Sequence, residues 1–509
     1  MSEQLALLPR YLTGHLQLTM LALLLSTAFS VPLGVVATRV RWLEQPVLAV
    51  AGIIQTIPSL ALLAVMVPLL AALSLQSIGF LPAIIGLTLY GVLPVLRNTV
   101  TGITGVDPAL TEAARGVGMT DRQQLRYVEL PLAMPVIVAG IRTATVWIVG
   151  IATLSTPVGA ASLGNYIFSG LQTRNFTAVL VGSVAAAALA LLLDGLVHAL
   201  ENGIRLRRRL PVALALTVLL CLYGYTGATL AREWIGGEPR PVIVGAKTFT
   251  EQYILSAMIA RRVEQATGQP TQLIQSLGST VAFDALRSSD IDVYVDYSGT
   301  LWTTILGRTD VPTRQAVLEE VGAHLDREYG IGLIGSLGFE NAYALAVRRA
   351  DADRLGLRAI SDLAPHAPRM TMGGDYEFFA RPEWQSIQQA YDLQFQDRRS
   401  MESTLMYQAI AESNVDVNSA FSTDGRIAAL DLRILTDDRG AIPPYDAVLL
   451  ASPRLRRDRP EVLDALAVLA GAIDADAMRR MNLAVDAGGR SPSAVADEFL
   501  DRLAPGAAP

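Results

Sequence analysis

The first 235 residues are divided into apolar runs, each near or above the ~20 residues that an α-helix needs to cross a bilayer. They fall at 16–37, 46–75, 79–96 with its extension, 132–156, 176–200 and 211–231. Lipid offers backbone groups no hydrogen-bond partner, so runs of this kind fold as helices that satisfy their own amides. Six spans are expected. The second run is long and contains Pro58, which predicts a kink or strong tilt there. Length, and the lack of a small-residue cleavage pattern after it, argue against the first run being a cleaved signal. Beyond residue 235 the sequence turns charged and mixed. The overall 51 % hydrophobic content is therefore concentrated in the first half, which predicts a membrane domain followed by a soluble domain of two lobes.

Basic residues set the orientation. Arg39 and Arg41 follow the first span, Arg115, Arg122 and Arg126 lie between the third and fourth, and Arg205, Arg207, Arg208 and Arg209 follow the fifth. If the spans alternate, all three groups are cytoplasmic. The soluble half is then extracytoplasmic, tethered by the sixth span and a Gly- and Pro-containing linker, and tethering raises its local concentration. Arg142, Asp194 and His198 lie within spans. Asp194 and His198, spaced i, i+4, are placed to pair, and helix packing is the preferred reading for all three.

The polar island between the third and fourth spans, EAARGVGMTDRQQLRYVELP, must lie in water. Asp107-Pro108 is suited to cap and open a helix that Gly116 and Gly118 then break. Glu112-Ala113-Ala114, then Gly118, then Leu130-Pro131 resemble the EAA loop of permeases in binding-protein-dependent ABC importers. The resemblance implies that the loop carrying these six residues forms the coupling helix that docks on a cytoplasmic ATPase subunit, with two copies of the chain pairing. No G-x-x-x-x-G-K-[ST] occurs. Gly245-Ala246-Lys247-Thr248 fails because Ala246 stands where the second glycine belongs, so no P-loop ATPase activity is expected of this chain.

A formal net charge of −6 gives no footprint for nucleic acid, and the single Cys221 excludes an intrachain disulfide or a thiol-based metal site. Four histidines and no nucleophile–base pair leave an enzyme the least favoured class. Neither a metal nor a cofactor is expected.

The soluble half alternates strand-like runs (241–246, 271–276, 290–297, 342–347, 369–372, 415–420 and 447–451) with helical stretches, and 460–503 reads as helices. That pattern predicts α/β lobes with sites at the carboxyl ends of strands. Five motifs, in order, resemble the substrate-binding proteins of osmoprotectant uptake systems. They are Gly245-Ala246-Lys247-Thr248-Phe249-Thr250-Glu251-Gln252, Gly278-Ser279-Thr280, Asp292 through Thr300 (DVYVDYSGT), Ser422-Thr423-Asp424-Gly425-Arg426 and Pro444-Tyr445. The fold implied is a helical polytopic permease fused to a two-lobed periplasmic-binding-protein domain of type II. Its expected parts are a membrane domain 1–209 with coupling loop 107–131, an anchor and linker 210–240, and a binding domain 241–509. Lobe 1 would take 241–346 and 447–509, and lobe 2 would take 347–446. The location implied is the bacterial inner membrane.

A trimethylammonium group donates no hydrogen bond and is best held by aromatic faces. The resemblance places these at Tyr297, Tyr343, Phe421 and Tyr445, with phenylalanine departing from the family's tyrosine at 421. A betaine's carboxylate wants cationic and hydroxyl donors. Here the resemblance assigns Lys247 (the one lysine), Arg381 and Thr300, with Gln252 adding an amide and Asn341 at a position where relatives can carry an acid. Asp296-Tyr297-Ser298-Gly299-Thr300-Leu301-Trp302 departs from the commoner Glu-Tyr-Thr-Gly-Thr form. Glycine betaine, choline, carnitine and ergothioneine all fit the chemistry. The competing readings are an importer of another polar, amino-acid-like solute and a membrane-anchored ligand sensor.

Overall fold

The computed structural model describes residues 2–503 apart from Ser74, Arg174, 236–239 and Thr309. Part of the expected linker, 236–239, therefore lies outside the described residues. The chain divides into two compact units: residues 1–168 with 177–238, and 239–509 with 169–176.

The first unit is helical: α1 (Ser2–Arg39), α2 (Arg41–Thr56), α3 (Ser59–Ala72), α4 (Phe80–Thr104), α5 (Pro108–Gly116), α6 (Leu130–Ala152), α7 (Phe176–Arg205) and α8 (Arg209–Ile235). Among the described residues, five helical stretches are long and apolar enough to cross a membrane, and α2 with α3 forms a sixth candidate bent by 99°. The bend falls at Ile57-Pro58. Proline has no N–H and pushes the residue before it out of helical geometry, and Ile57 is extended at φ −71°, ψ 127°. The carbonyl freed at Ile57 accepts the Tyr90 hydroxyl, and Gln55 donates to the Tyr90 carbonyl at 3.1 Å. A broken span is tolerated when its loose backbone groups find partners in this way. Leu18, Ala22, Leu87, Val95, Ala144 and Ile148 of α1, α4 and α6 pack one apolar core.

Arg142 of α6 grips Asp194 of α7 through two bonds of 2.7 and 2.9 Å, and its Nη1 meets His198 Nδ1 at 2.8 Å. The expected Asp194–His198 pair is thus replaced by an arginine standing between them. A guanidinium supplies forked donors that a neighbouring turn of the same helix cannot.

The polar island folds as its local chemistry dictates. Asp107 accepts the Ala109 N–H at 2.9 Å, α5 ends at Gly116, and Gly118 takes a positive φ of 82° where a side chain would be strained. Glu112 and Ala113 are exposed, Ala114 is buried, and Leu130-Pro131 open α6. A polar chain fastens the loop. Arg115 Nε donates to Gln124 at 3.3 Å, Gln124 donates to Glu129 at 2.6 Å, and the buried Glu129 pairs with Arg39 at the end of α1.

The second unit holds two five-stranded sheets. The strands are β1 (Val242–Lys247), β2 (Thr271–Leu277), β3 (Val293–Tyr297), β4 (Gly332–Glu340), β5 (Tyr343–Arg348), β6 (Thr371–Asp375), β7 (Asp397–Met401), β8 (Val417–Phe421), β9 (Leu432–Leu435) and β10 (Asp446–Ala451). One sheet runs β2-β1-β3-β10-β4 and the other β7-β6-β8-β5-β9. The chain passes between sheets at Asn341-Ala342, so β5, expected to close the first lobe, belongs to the second sheet, and it returns after β9. Three strands, β4, β7 and β9, lack a counterpart in the sequence reading. The strand expected over 290–297 forms as β3, where Tyr294 and Asp296 alternate with Val293 and Val295, and all five residues are buried. A central strand covered on both sides has no solvent face for its polar residues.

Candidate ligand-binding site

The loops at one end of the two sheets bring together aromatic residues from five points of the sequence. Tyr297 ends β3, Tyr343 begins β5, Phe421 ends β8 and Tyr445 precedes β10. Strand register does much of this work, since Tyr343 and Phe421 are directly paired across β5 and β8. Their rings lie 5.2 Å apart, and Tyr343 meets Tyr445 edge to face at 5.8 Å. A fifth ring, Phe249, joins them at the N-cap of α9 (Thr250–Thr267). It stacks on Phe421 at 5.9 Å and 6° and on Tyr297 at 6.0 Å. Phe249 lies within the first of the five motifs, where the resemblance assigns it no role. Its place one residue ahead of the α9 helix start was the available signal.

These rings face a cavity of about 200 Å³ that Lys247, Thr300, Asn341, Asp375, Glu377 and Arg381 also line. Eight of the nine expected ligand residues share this wall: the four expected aromatics, Lys247, Thr300, Asn341 and Arg381. The Lys247 ammonium is buried in an ion pair with Asp296 and lies 5.6 Å from the Tyr297 ring centre. The lysine's charge is therefore already matched by an anion of the chain. Gln252 does not line the cavity. It stands behind, donating to the Val295 carbonyl at 3.0 Å and the Tyr297 hydroxyl at 3.1 Å and accepting the Lys247 N–H at 3.3 Å. Being one helical turn into α9, its side chain is drawn under β3 instead of outward.

The wall formed by the second sheet is polar and incompletely paired. Arg381, the N-cap of α10 (Pro382–Tyr391), donates Nη2 to Glu377 at 2.6 Å and lies 5.5 Å from the Tyr343 ring centre. Its Nε and Nη1 are buried without partners. Asp375, at the end of β6, accepts the N–H groups of Glu377 and Phe378 on Oδ1 at 2.8 and 2.9 Å, while Oδ2 has none. Burial pushes the Asp375 carboxyl up, against those two bonds. Asn341 Oδ1 is likewise orphaned. Buried polar atoms left unpaired are costly, so they mark where a ligand's polar groups belong. Asp375 and Glu377 were missed by sequence reasoning, because a Gly-Gly-Asp-Tyr-Glu stretch reads as an ordinary turn.

Burial, reinforced by nearby carboxylates, pushes the hydroxyls of Tyr297 and Tyr445 well above the ordinary tyrosine range, so both stay neutral donors. Close packing also fixes Tyr445. A Cβ on Gly299 would sit 2.6 to 2.7 Å from three atoms of its ring. Gly299→Ala is expected to cost about 1–3 kcal/mol by overpacking, measured as a lowered thermal midpoint.

Known proteins share both halves. Residues 30–206 match the inner membrane component of binding-protein-dependent transport systems, and residues 240–502 match the substrate binding domain of ABC-type glycine betaine transport systems. A Helicobacter pylori (strain G27) ergothioneine transport permease/ergothioneine binding protein, EgtU, is 31 % identical over 93 % of this chain and 86 % of its own. The choline transport system permease protein OpuBB of Bacillus subtilis (strain 168) is 46 % identical over 35 % of this chain and 80 % of its own. The carnitine transport binding protein OpuCC of Listeria monocytogenes is 30 % identical over 53 % and 89 %. With membrane helices and a two-sheet binding unit each matched by its own family along one polypeptide, the chain belongs to the ABC importer family of glycine betaine-type systems, as a permease fused to its substrate-binding domain.

Proposed function

We propose that this chain takes up a quaternary ammonium compound of the betaine type. The observation that carries this reading is the five-ring cluster of Phe249, Tyr297, Tyr343, Phe421 and Tyr445 facing the unpaired guanidinium edge of Arg381. Rings hold the methylated cation and the arginine holds a carboxylate. The unpaired Asp375 Oδ2 favours a betaine that also carries an O–H or N–H donor, as carnitine and ergothioneine do. The similarity to the Helicobacter ergothioneine protein along nearly the whole chain supports the same choice.

Transport would proceed as two copies of the chain with a separate cytoplasmic ATPase, which hydrolyses ATP for both. Glu112, Ala113, Ala114 and Gly118, with Leu130-Pro131 at the entry to α6, form the surface for that partner. The exposed Val117 and Tyr127 add apolar area to the same loop. The soluble half lies outside the inner membrane, with α8 as an anchor. No cofactor or metal enters this scheme.

A second reading has an observation of its own. Asp375 and Arg381, both with unpaired atoms, also suit the ammonium and carboxylate of an amino acid. Calorimetry of the full chain in nanodiscs against glycine betaine, choline, carnitine, ergothioneine and unmethylated amino acids separates the two. Binding of unmethylated amino acids alone would overturn the betaine reading. Arg381→Gln is expected to weaken carboxylate-bearing betaines about 10- to 100-fold while leaving choline, which has no carboxylate, nearly unchanged.

A further inference from the structure

Two of the cage tyrosines are held from behind by buried acids that do not themselves line the cavity. The Tyr297 hydroxyl donates to Glu251 Oε1 at 2.5 Å, and the Tyr445 hydroxyl donates to Glu383 Oε1. Glu251 is 2 % exposed and Glu383 1 %. Glu251 takes three more bonds, from Asn341 Nδ2 at 3.1 Å, Thr423 Oγ1 at 2.5 Å and Asn482 Nδ2 at 3.2 Å. Glu383 accepts from Thr303 Oγ1 at 2.8 Å, and its other oxygen is orphaned. Every one of these partners is neutral. Burial drives the Glu251 carboxyl up, and its four hydrogen bonds act to hold it ionised.

A buried carboxylate without a cation is expensive, and simple locking of a tyrosine needs only a carbonyl. Two acids placed behind two rings of one cavity have a further effect. A phenol that donates to a carboxylate gains electron density in its ring, which deepens the negative face that attracts a cation. The field of an ionised acid also reaches the cavity through a medium of low dielectric constant.

We propose that Glu251 and Glu383 are specificity-determining residues that make the cage select a permanent cation over a neutral group of the same shape. This rests on the aromatic-cage reading above. The test compares glycine betaine with 3,3-dimethylbutanoate, the same skeleton with carbon in place of nitrogen, by calorimetry on the full chain in nanodiscs. For Glu251→Gln and Glu383→Gln, affinity for glycine betaine is expected to fall about tenfold or more, while that for 3,3-dimethylbutanoate holds or rises. Tyr297→Phe, which keeps the ring and loses the donor, is expected to move the ratio in the same direction, and it serves if a glutamine variant unfolds. Equal losses for both ligands would overturn the inference alone, since acids that merely brace the rings affect cation and isostere alike. If the unaltered chain binds neither glycine betaine nor carnitine, choline or ergothioneine, the cage reading falls and this inference falls with it.

Discussion

Tyr297→Ala is expected to lower betaine affinity at least about 100-fold in the full chain. Two losses combine. A desolvated cation–π contact is worth about 2 kcal/mol or more, which alone is roughly 30-fold. The deletion also strips Glu251 of a hydroxyl bonded at 2.5 Å, leaving that buried acid with one partner fewer. Tyr297 packs in the apolar core of its unit, so the truncation will lower stability as well. Calorimetry should therefore be paired with a thermal melt, and Tyr297→Phe serves as the control that retains the ring. Undiminished affinity in a folded alanine variant would remove Tyr297 from the site.

Glu112→Arg is expected to abolish uptake while leaving ligand binding intact. Glu112 is exposed on α5, a helix of nine residues, so reversing its charge disturbs little within the chain. At an interface the same change sets charge against charge, and losing one partner of a close pair costs about 2–5 kcal/mol. The measurement is radiolabelled uptake in proteoliposomes containing the ATPase, beside calorimetry of the same variant. Unaffected uptake would count decisively against a docking role for this loop.

What could be read from sequence followed from how local the governing physics is. Hydropathy located the spans, Pro58 announced the break between α2 and α3, and Asp107-Pro108 announced the start of α5. Each depends on a few neighbouring residues. The aromatic set depends on pairings such as Tyr343 with Phe421, which no local pattern states; its members came from the family resemblance. Burial was hardest to foresee. Lys247 and Gln252 were expected to contact the ligand, but the Lys247 ammonium is buried against Asp296 and Gln252 is bonded behind Tyr297. Strands β4, with Gly332, Gly335 and Gly338, and β7, with Arg398 and Arg399, lack the apolar alternation that sequence reasoning needs. They form because neighbouring strands supply their hydrogen bonds.

The chain Arg115–Gln124–Glu129–Arg39 ties the exposed loop to the inner end of α1 through contacts that leave little slack. Such a link has no preferred direction of travel. If a partner on the loop favours one arrangement of α1, then whatever favours that arrangement from the far side of the span must tighten the partner's grip by the same factor. On the proposed docking role the loop is a reporter as much as a handle: an ATPase held there would read the state of the membrane helices through the same four side chains by which it would drive them.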